Sequence, residues 1–345
     1  MTHRNYYIDA NGYLSSHKIF LEGLKSIRKV KKMEKEPKVS VVMPIYNAER
    51  FIEEAIESIL NQTYHNIELI LIDDCPTDRT LEILEQYKDE RICLVHNKEN
   101  LGIACSRNKG LSLCTGKYIA LMDDDDIAVK ERLKLQVEYL ENNSCIDILG
   151  GKIKAIDENG GIIENSGIAL INPLYIRAML MFRNVMYNGT VMLRKSFIDK
   201  YGLKYEDNCL GMEDFKFWIE CSKVGNLSNL DEVLLLYRRT ENSETAKVKE
   251  KNLSQRKKLY AQFQRYSLMK SGFFLKENEL TVINKVQTET NAKCESMEEL
   301  KRFYLVLKKI IIQAQKMNLD NQKEVESACK KLFSEKVYSS ECIWL

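Results

Sequence analysis

Along the chain, short apolar runs alternate with stretches whose apolar residues recur every three or four positions. Val39-Ser40-Val41-Val42-Met43 opens the pattern with the continuous apolar character of a strand buried on both faces. Pro44-Ile45-Tyr46-Asn47 punctuates it as a loop. Phe51, Ile52, Ala55, Ile56, Ile59 and Leu60 then fall at helical spacing. Residues 67–72 read as a second strand, ending in Asp73-Asp74-Cys75-Pro76-Thr77-Asp78. A helix carrying Leu81, Leu84 and Tyr87, a third strand over 92–95 and a helix through Arg107-Asn108-Lys109-Gly110 follow. Tyr118-Ile119-Ala120-Leu121-Met122 is a further buried strand, and it runs straight into Asp123-Asp124-Asp125-Asp126. Strands alternating with helices of this length predict βαβ units and an α/β fold with a mainly parallel sheet.

Beyond the acid run the helical pattern resumes with Leu133, Val137 and Leu140. Two strands are predicted around the turn Asp157-Glu158-Asn159-Gly160, and another over 190–193. A helix starts near Gly211-Met212-Glu213-Asp214, with its acids where the macrodipole favours them. Residues 233–237 form the last clear strand, and beyond about 246 the chain is helical. Three parts are expected: a basic helical extension over 1–36, an α/β domain over 37–245 and a helical region over 246–345. Within the first, Ile19, Phe20, Leu24, Ile27 and Val30 recur among lysines, a pattern compatible with an anionic membrane surface or with packing on the domain itself.

Net charge is only +2 over 345 residues, so no overall field favours nucleic acid. The charge is uneven: residues 246–345 carry +8 and the remainder −6. Ten cysteines without a C-x-x-C pair fit reduced, cytoplasmic usage. No apolar run approaches the roughly 18 residues of a membrane span, so membrane contact is expected to be peripheral, at the inner face.

The chemistry concentrates at predicted strand ends, where open α/β sheets bind ligands. Four adjacent carboxylates repel one another and call for a counter-charge. Mg²⁺ or Mn²⁺ shared with a phosphorylated ligand supplies one, because both take carboxylate and phosphate oxygens. Asp123 and Asp125, at i and i+2 in a turn, can face one cation. No G-x-G-x-x-G cradle follows the first strand, which argues against a dinucleotide site.

Taken in order, Val39 to Asn47, Asp73-Asp74 through Asp78, Arg107 to Gly110, the acid run and Glu213-Asp214 resemble the family 2 glycosyltransferases. The resemblance covers roughly residues 37–245. It implies the GT-A fold, a nucleotide-sugar donor and inversion at the anomeric centre. By that resemblance Pro44 and Tyr46 line the base pocket and Asp74 meets the uracil edge. Asp123 contacts the donor's ribose or pyrophosphate, with Asp124 beside it, and Arg107 reaches donor phosphates. Asp125 ligates the metal as the second acid of a D-x-D motif, with Asp123 as its neighbour. Asp214 is the catalytic base, flanked by Glu213. The residue types suit these tasks: a tyrosine can stack on a base, a carboxylate can accept an imide N–H, and a carboxylate can take a hydroxyl proton. Trp218, one helical turn past Asp214, is expected either to pack in the core or to stack on a sugar.

Two departures stand out. Cys75-Pro76 replaces the Gly-Ser common after the paired acids, and Thr240 stands where histidine is common near the last strand. Arg238 and Arg239 are candidates to hold phosphates there. The expected activity is metal-dependent transfer from a UDP-hexose or UDP-N-acetylhexosamine to a saccharide, lipid-linked or free, in bacterial-type surface-polysaccharide or glycolipid synthesis. The rivals are a sugar-phosphate nucleotidyltransferase and a nucleotide- or glycan-binding scaffold. Homo-oligomerisation is compatible with the sequence.

Overall fold

The structure is a computed structural model that describes residues 36–165, 169–240, 253–288, 294 and 296–339. The basic helix expected before Pro37 lies outside the described residues. From Pro37 onward the described residues form one compact unit.

The first four long apolar runs form the strands they predict: β1 (Val39–Ile45), β2 (Ile67–Asp73), β3 (Ile92–His96) and β4 (Tyr118–Leu121). They pair in parallel in the order β3-β2-β1-β4. Every residue of β1 and β4 is buried, as their almost wholly apolar sequences lead one to expect, with Ser40 the one polar member. The crossovers are α1 (Ile52–Leu60), α2 (Thr80–Leu84) and α3 (Ile103–Leu113). Helix α3 lies so close to β1 that a side chain at Gly110 would meet Val42 at 2.3 Å. Glycine is required there for contact rather than for backbone freedom.

Past β4 the parallel order gives way. The sheet continues through β8 (Met192–Arg194), β6 (Ile148–Ile156), β9 (Leu227–Arg238) and β5 (Ile127–Ala128), with β7 (Ile162–Asn165) paired to β6. Only β6 and β9 are parallel in this half. The two-residue β5 has no sequence signature of its own, and β9 starts six residues before the predicted strand. Five residues, 122–126, link β4 in the middle of the sheet to β5 at its edge, and Asp124-Asp125 turn within that link. Four strand spacings of about 4.8 Å would take nearly all of an extended connection. The sheet therefore curls, and the acid run spans its concave side.

Helices α4 (Arg132–Asn142), α5 (Pro173–Met179), α6 (Lys195–Tyr201) and α7 (Glu213–Val224) cover the sheet. The C-terminal region is helical, as expected: α8 (Leu253–Lys270), α9 (Glu277–Thr288), α10 (Met297–Met317) and α11 (Gln322–Ser339). These helices share a core with the end of α5. Met179, Met181 and Phe182 pack with Leu268, Phe273, Phe303 and Ile310. Arg183 makes a two-pronged ion pair with Glu335.

Candidate active site

The registers of β1 with β2 and of β1 with β4 set their carboxyl ends side by side: Ile45 lies opposite Asp73, and Val42 opposite Leu121. The loops that leave those ends, together with the start of α7, enclose a cleft of about 1290 Å³. Pro44, Tyr46, Asp74, Arg107, Asp123, Asp124, Asp125, Glu213 and Asp214 all line it. The residues singled out in the sequence, spread over 171 positions, thus meet in one place.

On one side the loops are tied by side-chain hydrogen bonds. Asn47, at φ +51°, accepts from the Thr77 amide at 2.7 Å. The Asp74 carboxylate accepts from the amides of Leu101 (2.8 Å) and Gly102 (2.9 Å) and from Asn97 Nδ2 (2.6 Å). It therefore fixes the approach to α3, satisfying backbone groups just ahead of that helix. A carboxylate has about four lone-pair sites, so about one is left unused on this cleft-lining residue. Cys75 sits at φ +57°, a conformation in which a glycine would be unstrained. That explains why glycine is common at the position. Here the Cys75 thiol donates to the Asn97 carbonyl.

In the acid run each carboxylate has a different environment. Asp124 accepts from the Tyr46 amide at 2.9 Å, joining the acid loop to the β1 loop. Asp126 accepts from the Arg238 amide through one oxygen, while its other oxygen is buried without a partner among the described residues. Burial, and then the charge of Asp123, push the Asp125 carboxyl up to about 6. Asp124 and Asp126 are also raised, by burial first and then by Asp125. Such a group is short of positive charge. Arg238 does not hold ligand phosphates. It is buried, its side chain donates to the Asp125 carbonyl and pairs with Glu54, and it lies over the Phe51 ring. Arg239, half exposed and paired with Glu164, does line the cleft, as does Thr240.

Arg107 is the join between the two halves. It is buried, and its guanidinium donates to Asp123 Oδ1 at 2.6 Å and to Glu213 Oε1 at 2.7 Å. Burial works against its charge, but these two carboxylates outweigh burial and hold the proton more firmly than usual. Two of its donors are thus committed to acids rather than to a phosphate, and Glu213 is held as an ion-paired carboxylate. Asp214 differs from its neighbour. Asn184 Nδ2 donates to it at 2.8 Å and the Phe215 amide at 2.6 Å. Burial, and then the charge of Glu213, push its carboxyl up to about 7. Trp218 is fully buried against Phe217, which leaves the core role and excludes sugar stacking.

The acid cluster suits a hard divalent cation. Asp125 and the second oxygen of Asp123 offer carboxylate ligands on the cleft, and the unbalanced negative charge asks for a cation. Among the described residues no group of three or more acid, histidine or cysteine side chains forms a complete cage. A metal bound there would have to complete its shell with water and substrate phosphate.

Comparison with known proteins decides the family. The description "Glycosyl transferase family 2" matches residues 40–202. An uncharacterized glycosyltransferase of Haemophilus influenzae is 38% identical over 263 residues, covering 74% of this chain and 80% of the relative. The chain belongs to glycosyl transferase family 2. A second relative is the Escherichia coli UDP-Glc:alpha-D-GlcNAc-diphosphoundecaprenol beta-1,3-glucosyltransferase WfgD. It is 31% identical over 196 residues, or 56% of this chain and 73% of that one. The fold matches Staphylococcus aureus TarS 1–349, solved with UDP-GlcNAc, at a TM-score of 0.57 and 18% identity. The match covers 88% of this chain and 92% of that one. A GT-A-like core followed by C-terminal helices is therefore the architecture of this glycosyltransferase. Sequence reasoning did not find Asn184 or Arg256, both of which line the cleft near Asp214. Their one local signal is polarity beside an apolar helix, which many surface residues share.

Proposed function

We propose that this family 2 enzyme transfers a hexose or N-acetylhexosamine from a UDP-sugar to a saccharide acceptor with inversion. The acceptor proposed is a growing, lipid-linked surface glycan. One observation carries the reading: a carboxyl pushed up to about 7 shares a cleft with a separate run of four acids, of which Asp123 alone has an ion-pair partner among the described residues. The name of the relative WfgD, with a UDP-sugar donor and a diphosphoundecaprenol-linked sugar acceptor, supports the choice of substrates.

Tyr46 and Pro44 form the wall where the base stacks, and Asp74 offers its remaining lone pair to the imide N–H. Asp125 and Asp123 would hold Mn²⁺ or Mg²⁺, which would supply positive charge to the leaving diphosphate. Asp214 removes the proton from the acceptor hydroxyl as that oxygen attacks the anomeric carbon. Asn184 and the Phe215 amide fix its orientation. An in-line displacement needs the base opposite the leaving group, so the two acidic sites have separate tasks. Arg107 and Glu213 position these groups and do not touch the reacting atoms.

The test is UDP release from a panel of UDP-sugars with Mn²⁺, followed by excess chelator. One or two donors are expected to release UDP, chelation to abolish release, and added Mn²⁺ or Mg²⁺ to restore it. Asp125→Asn is expected to weaken UDP-sugar binding sharply. Full turnover in excess chelator would overturn the metal assignment, and a retained anomeric configuration by NMR would overturn inversion.

A further inference from the structure

Helix α10 buries one face, formed by Leu300, Phe303, Val306, Leu307, Ile310 and Ala314. Its opposite face is not the polar surface that this leaves to be expected. Lys301, Leu305, Lys308, Ile312 and Lys316 follow one another at three- and four-residue steps and so form one exposed stripe. Leu305 is 52% exposed and Ile312 40%. With Gln313 they border a shallow groove along the helix. Among the described residues none of these three lysines makes an ion pair, whereas Lys309 beside them is held by Glu279 and Glu298 by Arg302.

The stripe is extended by Phe274, in the loop between α8 and α9. Its ring is 75% exposed. Its amide donates to Gln313 Oε1 at 2.8 Å, and Gln313 Nε2 donates to its carbonyl at 3.0 Å. Both backbone groups are thus satisfied by a residue of the groove, which anchors the root of the exposed side chain beside it. An exposed phenylalanine whose backbone is anchored beside exposed Leu, Ile and Lys side chains is arranged to meet something.

We infer that this face of α10, with Phe274, docks on an anionic lipid surface. Lysines of one sign interleaved with Leu and Ile along one helix face are the pattern of an in-plane interfacial helix. A second copy of the chain is disfavoured, because a two-fold contact would set this lysine stripe against itself. The face lies apart from the cleft lining, so docking leaves the cleft open. The inference does not depend on which sugar is transferred.

Flotation of the full-length protein tests it. The wild type is expected to float with vesicles of phosphatidylglycerol and phosphatidylcholine, to stay behind with phosphatidylcholine alone, and to lose binding as salt is raised. Lys301→Gln, Lys308→Gln and Lys316→Gln together should lower partitioning on the order of a hundredfold at low salt. Phe274→Ser alone should lower it severalfold. UDP release should be unchanged in both variants, which also shows that they fold. Equal flotation of the triple variant and the wild type overturns the inference. So does equal binding to both vesicle types, or no flotation of the wild type. Loss of binding confined to Lys29→Gln, Lys31→Gln and Lys32→Gln overturns it too, by assigning the contact to the N-terminal segment. A change in particle mass by light scattering in the triple variant would make the face a contact between copies instead.

Discussion

A carboxyl that titrates near 7 gives a rate a steep dependence on pH in the neutral range. As the proposed base Asp214 must be ionised to accept a proton, so transfer should rise with pH through an acid limb centred near 7. An ordinary carboxylate would place that limb near 4. Asp214→Asn keeps the shape and the Asn184 contact but cannot accept the proton. It is expected to lose at least about a hundredfold in transfer, with UDP affinity by calorimetry near wild type. The same shift works against stability. A raised folded pKa leaves stability whole below the unfolded value and removes it as pH climbs through 7. The acids themselves were legible in the sequence, because four adjacent carboxylates after a buried strand demand an explanation. Their individual states were not. Asp74 fixes the start of a helix 29 residues away, and Arg107 takes partners 16 and 106 residues distant. No local pattern encodes either.

At the scale of elements, α8 reaches back to the start of α7. Arg256 donates to the carbonyls of Leu210 and Gly211, two residues at positive φ that lead into Glu213-Asp214. Tyr260 lies tilted against the Phe215 ring and donates to the Phe182 carbonyl. A turn with two left-handed residues in succession is strained for leucine, and the guanidinium holds it. Arg256→Gln should therefore lower kcat by about tenfold or more while donor KM stays within about twofold. Steady-state kinetics check this, and a rise in donor KM alone would mean that Arg256 serves the donor instead. The strands β1, β2 and β4 were readable as elements because they are buried on both faces and so are mostly apolar, with Ser40 and Glu68 as their only polar positions before Asp73. The segment after β4 was harder. Residues 188–190 form a 3₁₀ turn, and β8 begins only at Met192. β5 owes its two residues to pairing with Leu235 and Leu236 rather than to propensity.

For the whole molecule, the helices after residue 246 complete a core instead of merely following one. Phe182 and Met179 are buried against them, and both are 2% exposed or less. Deleting residues 247–345 would uncover those side chains and the backbone groups that Tyr260, Gln264 and Ser267 satisfy. A chain cut there is expected to bind a hydrophobic dye and to aggregate, or to melt at least about 10 °C lower, the shift of several kcal/mol in a domain of this size. Unchanged melting would show that the catalytic unit stands without them. The sequence did separate an acidic body from a basic helical end. The shared core was hidden because an amphipathic helix does not state which surface receives its apolar face.

Arg107 also carries a consequence for how this protein can change over generations. One buried guanidinium serves Asp123 and Glu213, so neither acid is an independent position. Losing one leaves the cation with a single partner, and losing both strands it in the interior. Substituting Asp123→Asn and Glu213→Gln together should cost more than the sum of the separate losses, by about 1 kcal/mol or more in urea unfolding. Lineages that replace one acid are then expected to keep the other or to replace Arg107 as well. An additive result would mean that water reaches the guanidinium and releases the two positions from each other.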